Sequence, residues 1–165
     1  MQTLWAPWRM QYILGEDARE EGCIFCRFPD LPPAQHAEKY VLRVEERAFV
    51  MLNRYPYTNA HLLVVPRVHV PGITSLDDAT LDALTRLLRF SVRCLEERLK
   101  PEGFNIGINQ GRVAGAGLDT HMHYHIVPRW NGDNSFLPVL GEVRLINQHL
   151  DATFAALRPA FGGGG

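Results

Sequence analysis

No run in this 165-residue chain reaches the roughly 18 consecutive apolar residues that a membrane-spanning helix needs. Excess charge of one sign is missing too: 17 lysines and arginines face 18 aspartates and glutamates, a net charge of −1. That balance provides no electrostatic footprint for duplex nucleic acid or an anionic membrane surface. A neutral protein can still hold a locally positive pocket, so small polyanions stay within reach. Cysteine is sparse and odd in number, at three, which argues against a disulfide framework and for a reducing cytoplasm. The stretch from Met1 to Tyr12 carries Arg9 and no continuous apolar run, unlike a secretory signal.

What is present suits one domain with a single core. Residues 1–161 read as that domain and the glycines at 162–165 as a frayed tail. The first 38 residues, with Pro7, Pro29, Pro32 and Pro33, read as irregular. Residues 40–44 and 48–52 read as strands joined by a hairpin, 53–60 as a loop, and 61–65 as a central strand closed by Pro66. From 77 to 99, Leu81, Leu84, Leu88, Val92, Leu95 and Leu99 recur at helical steps. Ser75 with Asp78 resembles a capping box, and Pro101 and Gly103 end the pattern. Residues 104–109 alternate like a strand, and Leu145, Leu150, Phe154 and Leu157 mark a C-terminal helix before Pro159. With a strand over the histidines described next, these elements predict an α+β fold: a mainly antiparallel five-stranded sheet, one long helix and a C-terminal helix.

His121, His123 and His125 alternate with Met122, Tyr124 and Ile126. Strand side chains switch faces at each residue, so the three imidazoles share one face at a spacing of about 7 Å. Neutral imidazole is a nucleophile near pH 7, and its conjugate acid can return a proton to a leaving group. Catalysis or nucleotide contact is therefore one reading. A zinc site on His-x-His is a second, and a chance cluster on a solvent face a third. The preceding loop, Gln110-Gly111-Arg112-Val113-Ala114-Gly115-Ala116-Gly117, favours the first, because glycine lets backbone N–H groups approach an anion. It lacks the Gly-Lys-Ser/Thr ending of a P-loop. Gly115 and Gly117 are thus candidates for a phosphate cradle beside a nucleophile.

Cys23 and Cys26 have the spacing of a zinc knuckle, which alone supplies half a tetrahedral site. Two reduced thiols in a buried turn are the alternative. Cys94 falls in the long helix and reads as a small core residue. His36, His69 and His149 have no partner at informative spacing and read as surface residues. Trp5, Trp8 and Tyr12 could stack on a base, though cover for the core or a dimer seam is favoured. Arg129 is read either as a distal-phosphate contact or as half of a surface salt bridge.

Positions 121–127 follow the pattern His-φ-His-φ-His-φ-φ, with φ apolar, and so resemble the histidine triad (HIT) family, over roughly residues 40–140. Asn53 stands eight residues before His61, and Gln110 eleven before His121, as in the dinucleotide-cleaving branch. Leu4-Trp5-Ala6-Pro7-Trp8-Arg9, Asn53-Arg54-Tyr55-Pro56-Tyr57 and Val127-Pro128-Arg129-Trp130 look like the bacterial diadenosine tetraphosphate phosphorylases of this family.

The resemblance implies the HIT fold and attack by His123 on the α-phosphorus of an adenine dinucleoside oligophosphate, with a nucleotidyl-imidazole intermediate. It implies that His125 contacts the phosphate and bridging oxygen, Asn53 the ribose and Gln110 the phosphates. Water or inorganic phosphate would release the nucleotide, phosphate being favoured. A nucleoside phosphoramidase, a non-catalytic nucleotide-binding regulator and a hydrolase with all three histidines on one zinc are the alternatives. The family also implies a homodimer, no organic cofactor, and a structural zinc held by Cys23, Cys26, His61 and His121. Two positions depart from relatives. Gly117 stands where some carry Gln or Ser to contact a phosphate oxygen, which implies reduced hydrolytic activity or room for phosphate as acceptor. His125 stands where uridylyltransferases carry Gln, which argues against hexose-phosphate transfer.

Overall fold

Strands rich in branched apolar residues assemble the sheet. In this computed structural model, which describes residues 22–133 and 148–162, they are β1 (Val41–Val44), β2 (Ala48–Leu52), β3 (Leu62–Pro66), β4 (Gly103–Ile108) and β5 (Tyr124–Arg129). They form one sheet in the order β1-β2-β3-β5-β4, with every pairing antiparallel. β2 and β3 are buried along their whole length, as central strands covered on both faces must be. The motif at 4–9, Trp5, Trp8, Tyr12 and Leu145 lie outside the described residues.

Alternation divides the central strands between two cores. Val50, Leu52, Leu62, Val64 and Ile126 pack against Leu84, Leu87 and Leu95 of the long helix α2 (Asp78–Leu99). Phe154 and Leu157 of α3 (Leu150–Leu157) and Phe161 complete that layer. The intervening residues Phe49, Met51, Leu63 and Val65 face the other way. Phe25 of the short helix α1 (Ile24–Arg27) and Phe28 cover them. Residues 24–28 therefore form a lid on the second face of the sheet, where the histidines also lie.

Two local expectations change. Asp77, not Ser75, caps α2, its carboxylate accepting the Thr80 N–H at 2.6 Å. The helix ends at Lys100, whose left-handed φ of 48° stops it before Pro101. The histidine strand begins at Tyr124, so His121 and His123 stand on an extended lead-in. The cause is the Met122 N–H, which donates to Val70 O at 2.8 Å in the β3–α2 connection instead of joining the ladder. Among the described residues no helix is long and apolar enough to cross a membrane.

Candidate active site

Backbone groups set the protonation of each imidazole. His123 Nδ1 lies 3.0 Å from the His121 carbonyl, which can only accept. Nδ1 therefore carries the hydrogen and Nε2 keeps its lone pair. Burial (His123 is 7% exposed) holds its pKa below the ordinary histidine value, partly opposed by that hydrogen bond. Phe25 covers the ring edge-on, with centroids 5.0 Å apart. The result is a neutral imidazole with a nucleophilic Nε2.

His125 has the opposite polarity. The Tyr57 N–H donates to His61 Nδ1 at 3.1 Å, and Asn53 Nδ2 approaches the same nitrogen at 3.3 Å. His61 must then be protonated at Nε2, which lies 2.9 Å from His125 Nδ1 and donates to it. His125 is left with Nε2–H as a donor, and this buried atom has no hydrogen-bond partner among the described residues. Burial, with the neighbouring His123, pushes the His125 pKa down to about 4. Its ring centroid lies 4.8 Å from that of His123. A lone pair and an N–H donor thus stand side by side, each fixed by the main chain. Sequence reasoning placed His61 elsewhere and missed its contact with His125. Its only signal was the match of Asn53 to a position eight residues before a histidine.

His121 serves a separate cluster. Its Nε2–H donates to Pro66 O at 2.9 Å, so Nδ1 is bare and faces Cys23 Sγ at 3.3 Å and Cys26 Sγ at 3.5 Å. The fourth member is His69, whose Nδ1 lies 3.3 Å from Cys26 Sγ. Ligand atoms of Cys23, Cys26, His69 and His121 all fall within 4.8 Å of one another. This corrects the expected set: His61 is committed to His125, and the histidine read as a surface residue takes its place. Two sulfurs and two imidazole nitrogens suit a tetrahedral zinc ion with no open position. The Pro66 carbonyl supplies the orienting contact such a ligand needs. Burial, then the adjoining Cys23 and Asp30, drives the Cys26 thiol up to about 11, a burden that a bound cation reverses. Neither His123 nor His125 joins this cluster, so the three triad histidines do not converge on one metal.

The glycine loop departs from the cradle expected of it. The N–H groups of Ala114 and Ala116 donate to Gly111 O, and that of Gly115 to Arg112 O. Gly115 therefore closes a turn, with φ 87°, and its donor is unavailable to an anion. At Gly117 nothing stands within 4 Å of where a Cβ would lie, so the loop is open there. Gln110 Oε1 accepts the Ile73 N–H at 3.1 Å. Asn53 Oδ1 accepts the Tyr55 N–H at 2.9 Å, a turn contact that coexists with its approach to His61. Arg129 is held by both Asp133 carboxylate oxygens, at 2.6 and 2.8 Å, and by Asn105, which realises the salt-bridge reading.

An α+β sheet bearing a neutral imidazole nucleophile beside an imidazole donor is equipped for group transfer through histidine. The HIT domain matches residues 34–132, and the chain belongs to the HIT family. It is 33% identical over 157 residues to a Mycobacterium tuberculosis protein named AP-4-A phosphorylase, covering 93% of this chain and 80% of that one. Adenosine 5'-monophosphoramidase of Schizosaccharomyces pombe is 30% identical over 112 residues, 67% of this chain and 76% of its own. A zinc-bound histidine triad protein from Mycobacterium smegmatis superposes with a TM-score of 0.66 at 28% identity, covering 86% of this chain and 94% of that one.

Proposed function

We propose that the protein cleaves adenine dinucleoside oligophosphates, such as diadenosine tetraphosphate or triphosphate, through a nucleotide carried on His123, with inorganic phosphate as the favoured acceptor. The observation that carries this is the His123 Nδ1–H bond to the His121 carbonyl, which leaves Nε2 as a neutral nucleophile. Nε2 attacks the α-phosphorus as the bond to the bridging oxygen breaks. His125 Nε2–H donates to that oxygen, and His61 holds the donor tautomer in place. Phosphate, or water, then attacks the same phosphorus and His123 leaves. With diadenosine tetraphosphate and phosphate, the products are ATP and ADP.

Asn53 would meet the ribose, and Gln110 the phosphates, with the open loop at Gly117 giving room for the acceptor. Gly115 acts only through the turn it closes. Zinc on Cys23, Cys26, His69 and His121 would be structural, tying the N-terminal lid to the lead-in that carries His123. A homodimer joined at β4 fits the exposure of that edge strand, where Ile106 is 46% exposed. Sedimentation then reads twice the chain mass, and a single-chain mass rejects the dimer.

Product analysis tests the reaction. ATP and ADP from diadenosine tetraphosphate, only when phosphate is added, is the expected result. AMP with ATP, independent of phosphate, makes the enzyme a hydrolase. The resemblance to a monophosphoramidase supplies the second reading, which cleavage of adenosine 5'-phosphoramidate in preference to both would establish.

A further inference from the structure

Gly72 is buried and extended, with φ −163° and ψ 166°, a conformation open to any residue. Backbone freedom therefore does not account for glycine there; space does. A Cβ on residue 72 would lie 2.7 Å from Gln110 Cδ and Oε1, and 2.9 Å from Nε2. The amide of Gln110 occupies the volume a methyl group would fill. In that place its Oε1 accepts the Ile73 N–H, an otherwise unpaired donor at the start of the 3-10 turn Ile73–Ser75. A backbone donor at Oε1 fixes the amide orientation and leaves Nε2 with its N–H groups to give.

The same connection is tied to the histidine lead-in through Val70 O and the Met122 N–H. Gln110 and the lead-in that carries His121 and His123 are thereby both tied to the same stretch of backbone, residues 70–73. We infer that Gly72 is a positioning residue for the reaction: by lacking a side chain, it lets Gln110 dock on Ile73 and present Nε2–H donors to the substrate phosphates. This rests on the proposed cleavage of dinucleoside oligophosphates.

Gly72→Ala is a mild probe, because the methyl meets only the end of a flexible side chain, which can swing aside. With diadenosine tetraphosphate and phosphate, kcat should fall roughly tenfold or more, with KM and the thermal midpoint unchanged. In a Gln110→Ala background the same substitution should have no further effect, since the group it displaces is gone. Equal loss in both backgrounds, or wild-type kcat in Gly72→Ala, overturns the inference. Hydrogen exchange at the Ile73 amide, read by NMR without nucleotide, separates this from the proposed reaction. Protection should be lost in both Gly72→Ala and Gln110→Ala; protection retained in Gly72→Ala overturns the docking whatever the activity. A wild-type protein that leaves the substrate intact overturns the reaction, and Gly72's role in it, while the amide measurement still decides the docking.

Discussion

One main-chain carbonyl and one main-chain N–H divide the labour between two adjacent imidazoles. His121 O holds the His123 hydrogen on Nδ1 and leaves Nε2 bare, and Tyr57 N–H, acting through His61, leaves His125 with an Nε2–H donor. Replacing His61 with Ala removes the group that fixes the His125 tautomer. We expect kcat to fall about 10- to 100-fold, the usual loss for such supporting contacts, with KM little changed. An unchanged kcat would detach His61 from the reaction. The buried imidazoles also couple stability to pH. His125 titrates at about 4 in the fold against an ordinary 6.5, so the unfolded chain binds more protons between those values. Its contribution is complete above pH 6.5 and disappears as pH falls towards 4. His123, depressed in the same direction by burial, adds to it. Urea midpoints should therefore drop across that window, and a flat profile would show that these rings are not held neutral.

Elements decide which histidine meets which. β3 and β5 pair antiparallel, Leu62 with Ile126 and Val64 with Tyr124, and continuing that register puts residue 67 opposite residue 121. A partner for His121 must then come from just beyond the end of β3, where His69 lies. His61, six residues earlier than residue 67, is about 20 Å away along the strand. The alternating histidines and apolar runs made the strands legible. Register was not legible, so the zinc set named the wrong histidine. The long helix offers a parallel case. Leucine spacing located it, but its buried stripe runs through Thr80, Leu84, Leu87, Ser91, Cys94 and Leu95. Ser91 satisfies its hydroxyl on Leu87 O at 2.8 Å, so a polar residue fits the apolar seam and leaves no trace in a leucine pattern. The glycines marked a loop at 111–117 and favoured a phosphate cradle, but the N–H groups of Ala114, Gly115 and Ala116 are spent inside the loop, a use set by a conformation that composition does not encode. For the cap that lies two residues beyond Ser75, Asp77→Ala should lower the thermal midpoint and leave kcat unchanged. Thermal melts check this, and no change would deny the cap its role.

At the scale of the whole molecule, the sheet has two unlike covers. A long helix and its C-terminal companion seal one face with an ordinary apolar core. The other face is closed by a short N-terminal segment in which Phe25 and Phe28 supply the apolar cover and the thiols reach across to His69 and His121. Among the described residues that cover meets the sheet through Phe25, Phe28 and the thiol–imidazole cluster, and a metal in the cluster would cross-link it to the lead-in at His121. Metal analysis should find about one zinc per chain. Cys23→Ser with Cys26→Ser should abolish zinc binding and lower the thermal midpoint by several degrees. Full stability without zinc would remove the metal from the account.

The most direct test is whether residue 123 becomes covalently nucleotidylated. Enzyme mixed with diadenosine tetraphosphate in the absence of phosphate, quenched in alkali to preserve the phosphoramidate, and mapped by mass spectrometry should carry one AMP on His123. His123→Ala should carry none and turn over at least about a thousandfold more slowly. Adduct on another residue, or undiminished turnover by His123→Ala, would contradict the account.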